Sequence, residues 1–163
     1  MIEPSVDRPD ARSAVHALTR ASRILERSLT GLSLADFRVL SAVAEGEARA
    51  SRLAHRLALG KPAISSTVES LVRRGLLRRE AHDADLRATQ LVLTEEGAAA
   101  RVDAESALVS VVVALVSDTT DPAATLAALA ALEPAIERRQ QAVAATRVAA
   151  QSRTMPAVRE GAL

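Results

Sequence analysis

The stretch Gly-Lys-Pro-Ala-Ile-Ser-Ser-Thr-Val-Glu-Ser-Leu-Val-Arg-Arg-Gly, residues 60–75, decides the fold of this chain. A glycine bounds it on each side. Pro62 suits the first turn of a helix, where its missing N–H would have no partner in any case. Ile64, Val68, Leu71 and Val72 recur at helical spacing and make one apolar stripe. Ser65, Ser66, Glu69, Ser70 and Arg73 fall on the opposite, wet face. Such a helix buries one side and offers small hydrogen-bonding groups on the other.

Working outward, Ser51 is placed to cap a short preceding helix that carries Leu53, Ala54, Leu57 and Ala58. Before it, Ser33 and Asp36 have the spacing of a capping box, although Glu or Gln is the usual second member. The helix they open carries Phe37, Leu40, Val43 and Ala44 as its expected buried stripe and stops at Gly46. A first helix is expected from Asp10, as N-cap, to Leu29, with Ala14, Leu18, Ala21, Leu25 and Leu29 on one face. On the other side of the central stretch, residues 76–79 and 89–93 read as two strands around a polar loop, 80–88. Thr94 then caps a long helix to about Ser117, with Glu95 and Glu96 in the first turn, where the helix dipole favours negative charge. Asp121 and Pro122 open the last helix, which carries Leu126, Leu129, Leu132, Ile136 and Val143. Pro134 should kink or split it.

Two short helices around a tight turn followed by a hairpin make a winged helix-turn-helix. The fold class is therefore mainly α with a small β-hairpin wing. In such a module the second helix shows its polar face to base edges and flanking cations hold phosphates. Ser65, Ser66, Glu69, Ser70 and Arg73 are the candidate base-facing residues, and Lys61, Arg52 and Arg79 are candidate phosphate contacts.

Charge agrees with this reading. The 163 residues carry a net charge of +1, yet residues 49–87 hold nine cations and four carboxylates. On its own that excess also fits an ordinary solvated surface. On a helix-turn-helix it is a basic patch for nucleic acid. Composition excludes other classes. Cysteine is absent, which removes disulfides, thiol chemistry and Cys-ligated metals. Phe37 is the only aromatic, so base-stacking platforms for single strands are ruled out. His16, His55 and His82 lie on separate elements without ligand spacing, so no metal and no cofactor is expected. No phosphate-binding loop, dinucleotide fingerprint or nucleophile elbow is present, so no enzyme is expected. The longest apolar run, 107–116, is too short to span a membrane, and the acidic N-terminus is unlike a signal peptide. A cytoplasmic protein without membrane contact is expected.

Four segments carry a resemblance to a known family: Leu-Ser-Leu-Ala-Asp-Phe-Arg-Val-Leu (32–40), Ser-Arg-Leu-Ala-His-Arg-Leu-Ala-Leu (51–59), Leu-Val-Arg-Arg-Gly-Leu-Leu-Arg-Arg (71–79) and Asp-Leu-Arg-Ala-Thr-Gln-Leu-Val-Leu-Thr-Glu-Glu-Gly (85–97). Together they resemble the MarR family of bacterial transcription regulators, over about residues 10–147. The resemblance implies a homodimer that binds double-stranded DNA at a pseudo-palindromic operator, as a repressor that a small aromatic or anionic effector releases. It implies that Ser65 and Ser66 touch bases, that Arg87 enters the minor groove from the wing, and that Asp85 braces it. It implies a dimer interface to which the apolar Leu108, Val112, Leu115, Leu126, Leu129 and Ile136 are suited. The expected organisation is an arm at 1–9, a helical dimerisation region at 10–30 and 98–150, a DNA-binding domain at 31–97, and a tail at 151–163.

The sequence departs from the family pattern at three places. Asp36 stands where glutamine is common, Leu86 where a basic wing residue is frequent, and Pro134 interrupts the last helix. His16, Arg20, Arg23, Asp36 and Arg38 lie in the segments where the family places effectors, but no effector-binding set is identified. The alternative from another class is a winged-helix module that contacts protein instead of DNA. The charge of residues 49–87 tells against it.

Overall fold

The structure is a computed structural model that describes residues 8–153 apart from 48, 58, 83 and 84. The side chains of 8, 9, 51, 55, 81, 82, 85–89, 144, 145 and 147–153 lie outside the description. In chain order the elements are α1 (Arg8–Ser28), α2 (Leu34–Ala44), α3 (Ala50–Arg56), α4 (Lys61–Arg73), β1 (Leu77–His82), β2 (Asp85–Leu93), α5 (Glu95–Ser117), α6 (Pro122–Ala130) and α7 (Glu133–Arg153). The chain is mainly α with one antiparallel hairpin, in the order of a winged helix-turn-helix.

Local chemistry sets most of the helix starts. Ser33 Oγ accepts the Asp36 backbone N–H and Asp36 Oδ2 accepts the Ser33 N–H, both at 3.0 Å, a complete capping box for α2. Thr94 caps α5 and Asp121 caps α6, each accepting the N–H three residues on at 2.9 Å. Gly60 precedes α4, which has Pro62 in its first turn. Gly75, at φ 72, takes the left-handed conformation that ends α4 and turns the chain into β1.

Several boundaries differ from the sequence expectation. Helix α1 begins at Arg8, inside the expected arm, so Asp10 sits in its first turn and does not cap it. Helix α3 begins at Ala50, which puts Ser51 inside the helix. The strands are longer than expected and leave only 83 and 84 between them, so Asp85 and Arg87 lie on β2 and not in a loop. Helix α7 continues to Arg153, into the expected tail. Pro134 splits the last helix: α6 ends at Ala130, α7 starts at Glu133, and the proline occupies the new first turn.

One core holds the middle of the chain. Val39, Leu40, Ala42 and Val43 of α2, Leu53 and Ala54 of α3, Ile64, Val68 and Leu71 of α4, and Leu77 and Leu91 of the hairpin form a single buried cluster. Each fully buried side chain of this size contributes about 1.5–3 kcal/mol. The stripe expected on α2 is corrected here. Ala44 is exposed and Phe37 only half-buried, while Val39 and Ala42 face inward. Outside the winged module, Ala104 and Val116 of α5 are the only apolar residues among those described that are buried.

Candidate nucleic-acid interface

Helix α4 is divided as its sequence requires. Ile64, Val68 and Leu71 are buried against α2, α3 and β1. Ser65, Ser66, Glu69 and Arg73 are exposed, and Ser70 is half-buried. The hydroxyl of Thr67 is taken up inside the helix, donating to the Ala63 carbonyl at 3.0 Å. Lys61 is exposed at the first position of α4. One surface thus offers two serine hydroxyls, a carboxylate, a guanidinium and an ammonium. That set can hydrogen-bond base edges and phosphates.

The wing follows directly. Leu77 pairs with Leu93 and Arg79 with Leu91, and the ladder continues to Ala81 opposite Thr89. His82 then pairs with Asp85, so the pairing skips 86–88. Arg87 is the middle residue of that bulge. A bulge bends and twists a strand and re-aims what it carries. The side chains of Asp85 and Arg87 lie outside the described residues, and so does the brace expected between them. Nearer the core, Arg79 is exposed, and Arg78 pairs with Glu80.

Arg52 stands apart from this group. It is exposed and lines a cleft of about 500 Å³ between α3 and α7, together with Arg56, Glu133, Glu137 and Glu47. Three carboxylates around that cleft make it a poorer place for phosphate than the start of α4. Arg56 is also engaged, in an ion pair with Glu45.

Two residues outside the candidate DNA-contacting set also shape this surface. Arg74, counted only as a cation, donates to Asp36 Oδ2 at 3.2 Å and to the Gly31 carbonyl. Its partners lie 38 and 43 residues away, so no local spacing signals them. Thr94 was read as a cap, yet its hydroxyl also donates to the Gly75 carbonyl at 2.7 Å. This second bond ties the start of α5 to the end of α4.

Two further cavities lie where the winged module meets the outer helices. One, of about 360 Å³, is lined by Phe37, Leu108, Val109, Val112, Val113 and Leu126 with Glu105 at its edge. The other, of about 300 Å³, lies between residues 28–32 and Ala100, Asp103, Ala104 and Ala107 of α5. Asp36 and Phe37, neighbours in sequence, thus have separate tasks. Asp36 is engaged by Ser33 and Arg74, while Phe37 reaches an apolar cavity. No helix among the described residues is long and apolar enough to cross a membrane.

Comparison with known proteins agrees with this geometry. The MarR family model matches residues 30–88. No curated protein matches the chain. Among solved structures, AbsC, a MarR family transcriptional regulator from Streptomyces coelicolor, is 24% identical with a TM-score of 0.68, over 86% of this chain and 99% of that one. The transcriptional regulator BldR from Sulfolobus solfataricus is 23% identical with a TM-score of 0.65, over 82% and 99%. BpsR from Bordetella bronchiseptica, whose DNA binding is regulated by 6-hydroxynicotinic acid, is 20% identical with a TM-score of 0.66, over 84% and 98%. Residues 30–88 therefore match the MarR family model, and the chain has the fold that these regulators share.

Proposed function

We infer that this protein is a sequence-specific, DNA-binding transcriptional regulator, not an enzyme, working in the cytoplasm. The observation that carries the reading is the division of α4. Its apolar face is locked into the core of the winged module, and its polar face is exposed beside Lys61. Residues 31–97 are the DNA-binding domain. Ser65, Ser66, Glu69, Ser70 and Arg73 read bases, Lys61 and Arg79 hold phosphates with a lesser part for Arg52, and Arg87, set by Asp85, reads the minor groove. Narrow minor grooves concentrate negative potential, which suits an arginine there.

The working form is a homodimer built from 10–30 and 98–150. The apolar residues left exposed on the outer helices support it, Leu115, Leu126, Leu129 and Ile136 among them. Two copies acting together present two α4 helices to one pseudo-palindrome, with repression by occupancy of the operator. The cavity lined by Phe37, aliphatic side chains and Glu105 suits a small, largely apolar aromatic effector. BpsR, a structural relative, has its DNA binding regulated by a small aromatic molecule, 6-hydroxynicotinic acid, which is more polar than this lining.

The test is selection from a random duplex pool, with affinity followed against salt. Enrichment of a pseudo-palindrome with half-sites about 10 base pairs apart is expected. Affinity should fall steeply as salt rises. Arg87→Ala should weaken binding to the enriched sequence. A pool that stays unenriched, with binding only at low salt, overturns the reading.

A further inference from the structure

The end of α4 is held differently from its length. Along the helix, Ile64, Val68 and Leu71 give apolar burial, which is non-directional and fixes a face more firmly than an angle. At the C-terminus, Arg74 is the cap residue, its backbone N–H directed at the carbonyls of Ser70 and Val72. Its guanidinium leaves the helix and forks. One nitrogen donates to Asp36 Oδ2 at 3.2 Å and the other to the Gly31 carbonyl. Asp36 is itself fixed, since the same oxygen accepts the Ser33 N–H at 3.0 Å and its own N–H is held by Ser33 Oγ. The Asp36 side chain is 12% exposed and that of Arg74 35%. The pair is therefore less screened than a surface ion pair. A planar fork onto two fixed acceptors sets direction, which a point charge does not.

The corner at 31–36 also has a particular place. It joins the end of α1 to the start of α2, and residues 28–32 face α5 across the smaller cavity. The fork thus spans from the terminus of the candidate recognition helix to the junction with the outer helices.

Resting on the regulator reading above, we propose that Asp36 and Arg74 are a positioning pair. They fix the angle of α4 on the winged module, and through it the half-site spacing that a dimer accepts. Arg74 then directs its charge to Asp36 and the Gly31 carbonyl and is not a phosphate ligand. The aspartate that departs from the family pattern is the partner that makes this possible.

The test uses the full chain and the operator enriched by selection, compared with an unrelated duplex and with operators whose half-site spacing is changed by one base pair. The variants are Asp36→Asn, Arg74→Lys, Arg74→Ala and the double variant Asp36→Asn/Arg74→Ala. A positioning pair predicts that each single change weakens operator binding by about tenfold, in the range of a lost hydrogen bond to a charged group. Binding to the unrelated duplex and the salt slope should hold, and the preference for one spacing should blur. The double variant should be no weaker than Arg74→Ala, because both remove one interaction. A phosphate-binding Arg74 predicts the reverse pattern. Arg74→Lys would be silent, Arg74→Ala would lower affinity on both duplexes and reduce the salt slope by about one, and Asp36→Asn would tighten binding by removing a negative charge. Thermal unfolding identifies any variant that fails to fold, and Asp36→Asn and Arg74→Lys, the mildest changes, then decide. A wild-type chain that selects no sequence overturns the regulator reading and the pair's role together. A wild-type chain that selects one, with variants that bind it equally well, overturns the pair's role alone.

Discussion

Gly97 shows how much a single position can carry. A Cβ placed there would lie 1.9 Å from the Leu76 carbonyl oxygen and 2.8 Å from its carbon. Both are backbone atoms, so no side-chain rotation relieves the clash. The approach is closed by Thr94, whose hydroxyl accepts the Gly97 N–H at 2.9 Å and donates to the Gly75 carbonyl at 2.7 Å. Its backbone N–H donates to the Leu76 carbonyl at 3.3 Å. Threonine and glycine at this spacing therefore clamp the start of α5 onto the turn between α4 and β1. Gly97→Ala should cost about 2–3 kcal/mol through forced backbone displacement. In a chain of this size that lowers the melting temperature by roughly 5–10 °C. A thermal melt within a degree of wild type would show that the turn yields freely and that the close approach is not a constraint. The motif was visible in sequence, but its reason was not. Thr94 and Gly97 are neighbours along the chain, whereas the carbonyls they meet belong to a turn some twenty residues earlier. The capping box of Ser33 and Asp36 was legible for the opposite reason, since both its hydrogen bonds close within four residues. Arg74 was not, because its acceptors are distant in sequence.

At the scale of elements the same rule separates what was legible from what was not. Helix starts at Ser33, Thr94 and Asp121 lie where their caps placed them, because capping is local. The division of α4 was also legible, because its apolar period of 3.6 is written in the helix itself. The hairpin is longer than its sequence suggests. Its outer half alternates only weakly, with Leu86 as its one large apolar residue among charged and small ones, and pairing between strands is not written in either strand alone. For Pro134 the sequence left two outcomes open, a kink or a split, and the structure has the split. Without an N–H, residue 134 cannot donate to the Ala130 carbonyl, so α6 ends there. The Leu132 N–H turns tightly to the Leu129 carbonyl at 3.1 Å, and α7 restarts with the Ile136 N–H donating to the Leu132 carbonyl at 2.8 Å. A proline costs about 3 kcal/mol inside a helix and almost nothing in a first turn, which is why the break falls where it does. Pro134→Ala should remove the reason for the break. Backbone chemical shifts of Ala131 and Leu132 should become helical, and the new amide at position 134 should be protected from exchange. Shifts that stay non-helical would assign the break to packing of α7 against α3.

At the scale of the whole molecule the chain is lopsided. The buried cluster lies between residues 39 and 91, whereas Val15, Leu18, Val109, Leu126, Leu129 and Ile136 all stand exposed on the outer helices. Leu126 and Leu129 keep 45% and 41% of their surface, and α6 has no buried residue. The winged module has its own buried cluster, whereas the outer helices bury little among themselves. Helices with so little core of their own leave large apolar side chains in water, and such side chains mark an interface where they join into one patch. If a second copy forms that interface, each large side chain it covers contributes up to about 1.5–3 kcal/mol. Charges placed there should separate the copies and leave the winged module folded. The double change Leu126→Glu/Leu129→Glu should therefore sediment as a monomer at micromolar concentration while wild type sediments as a dimer. It should keep the thermal transition of residues 31–97. It should also lose operator affinity by at least about a hundredfold, because one α4 then reads one half-site and the second contact is no longer intramolecular. If both proteins sediment as dimers, the contact lies elsewhere on the outer helices; if both sediment as monomers, the dimer is overturned. A monomer that still bound the operator as tightly as wild type would show that reading both half-sites does not require the dimer at all.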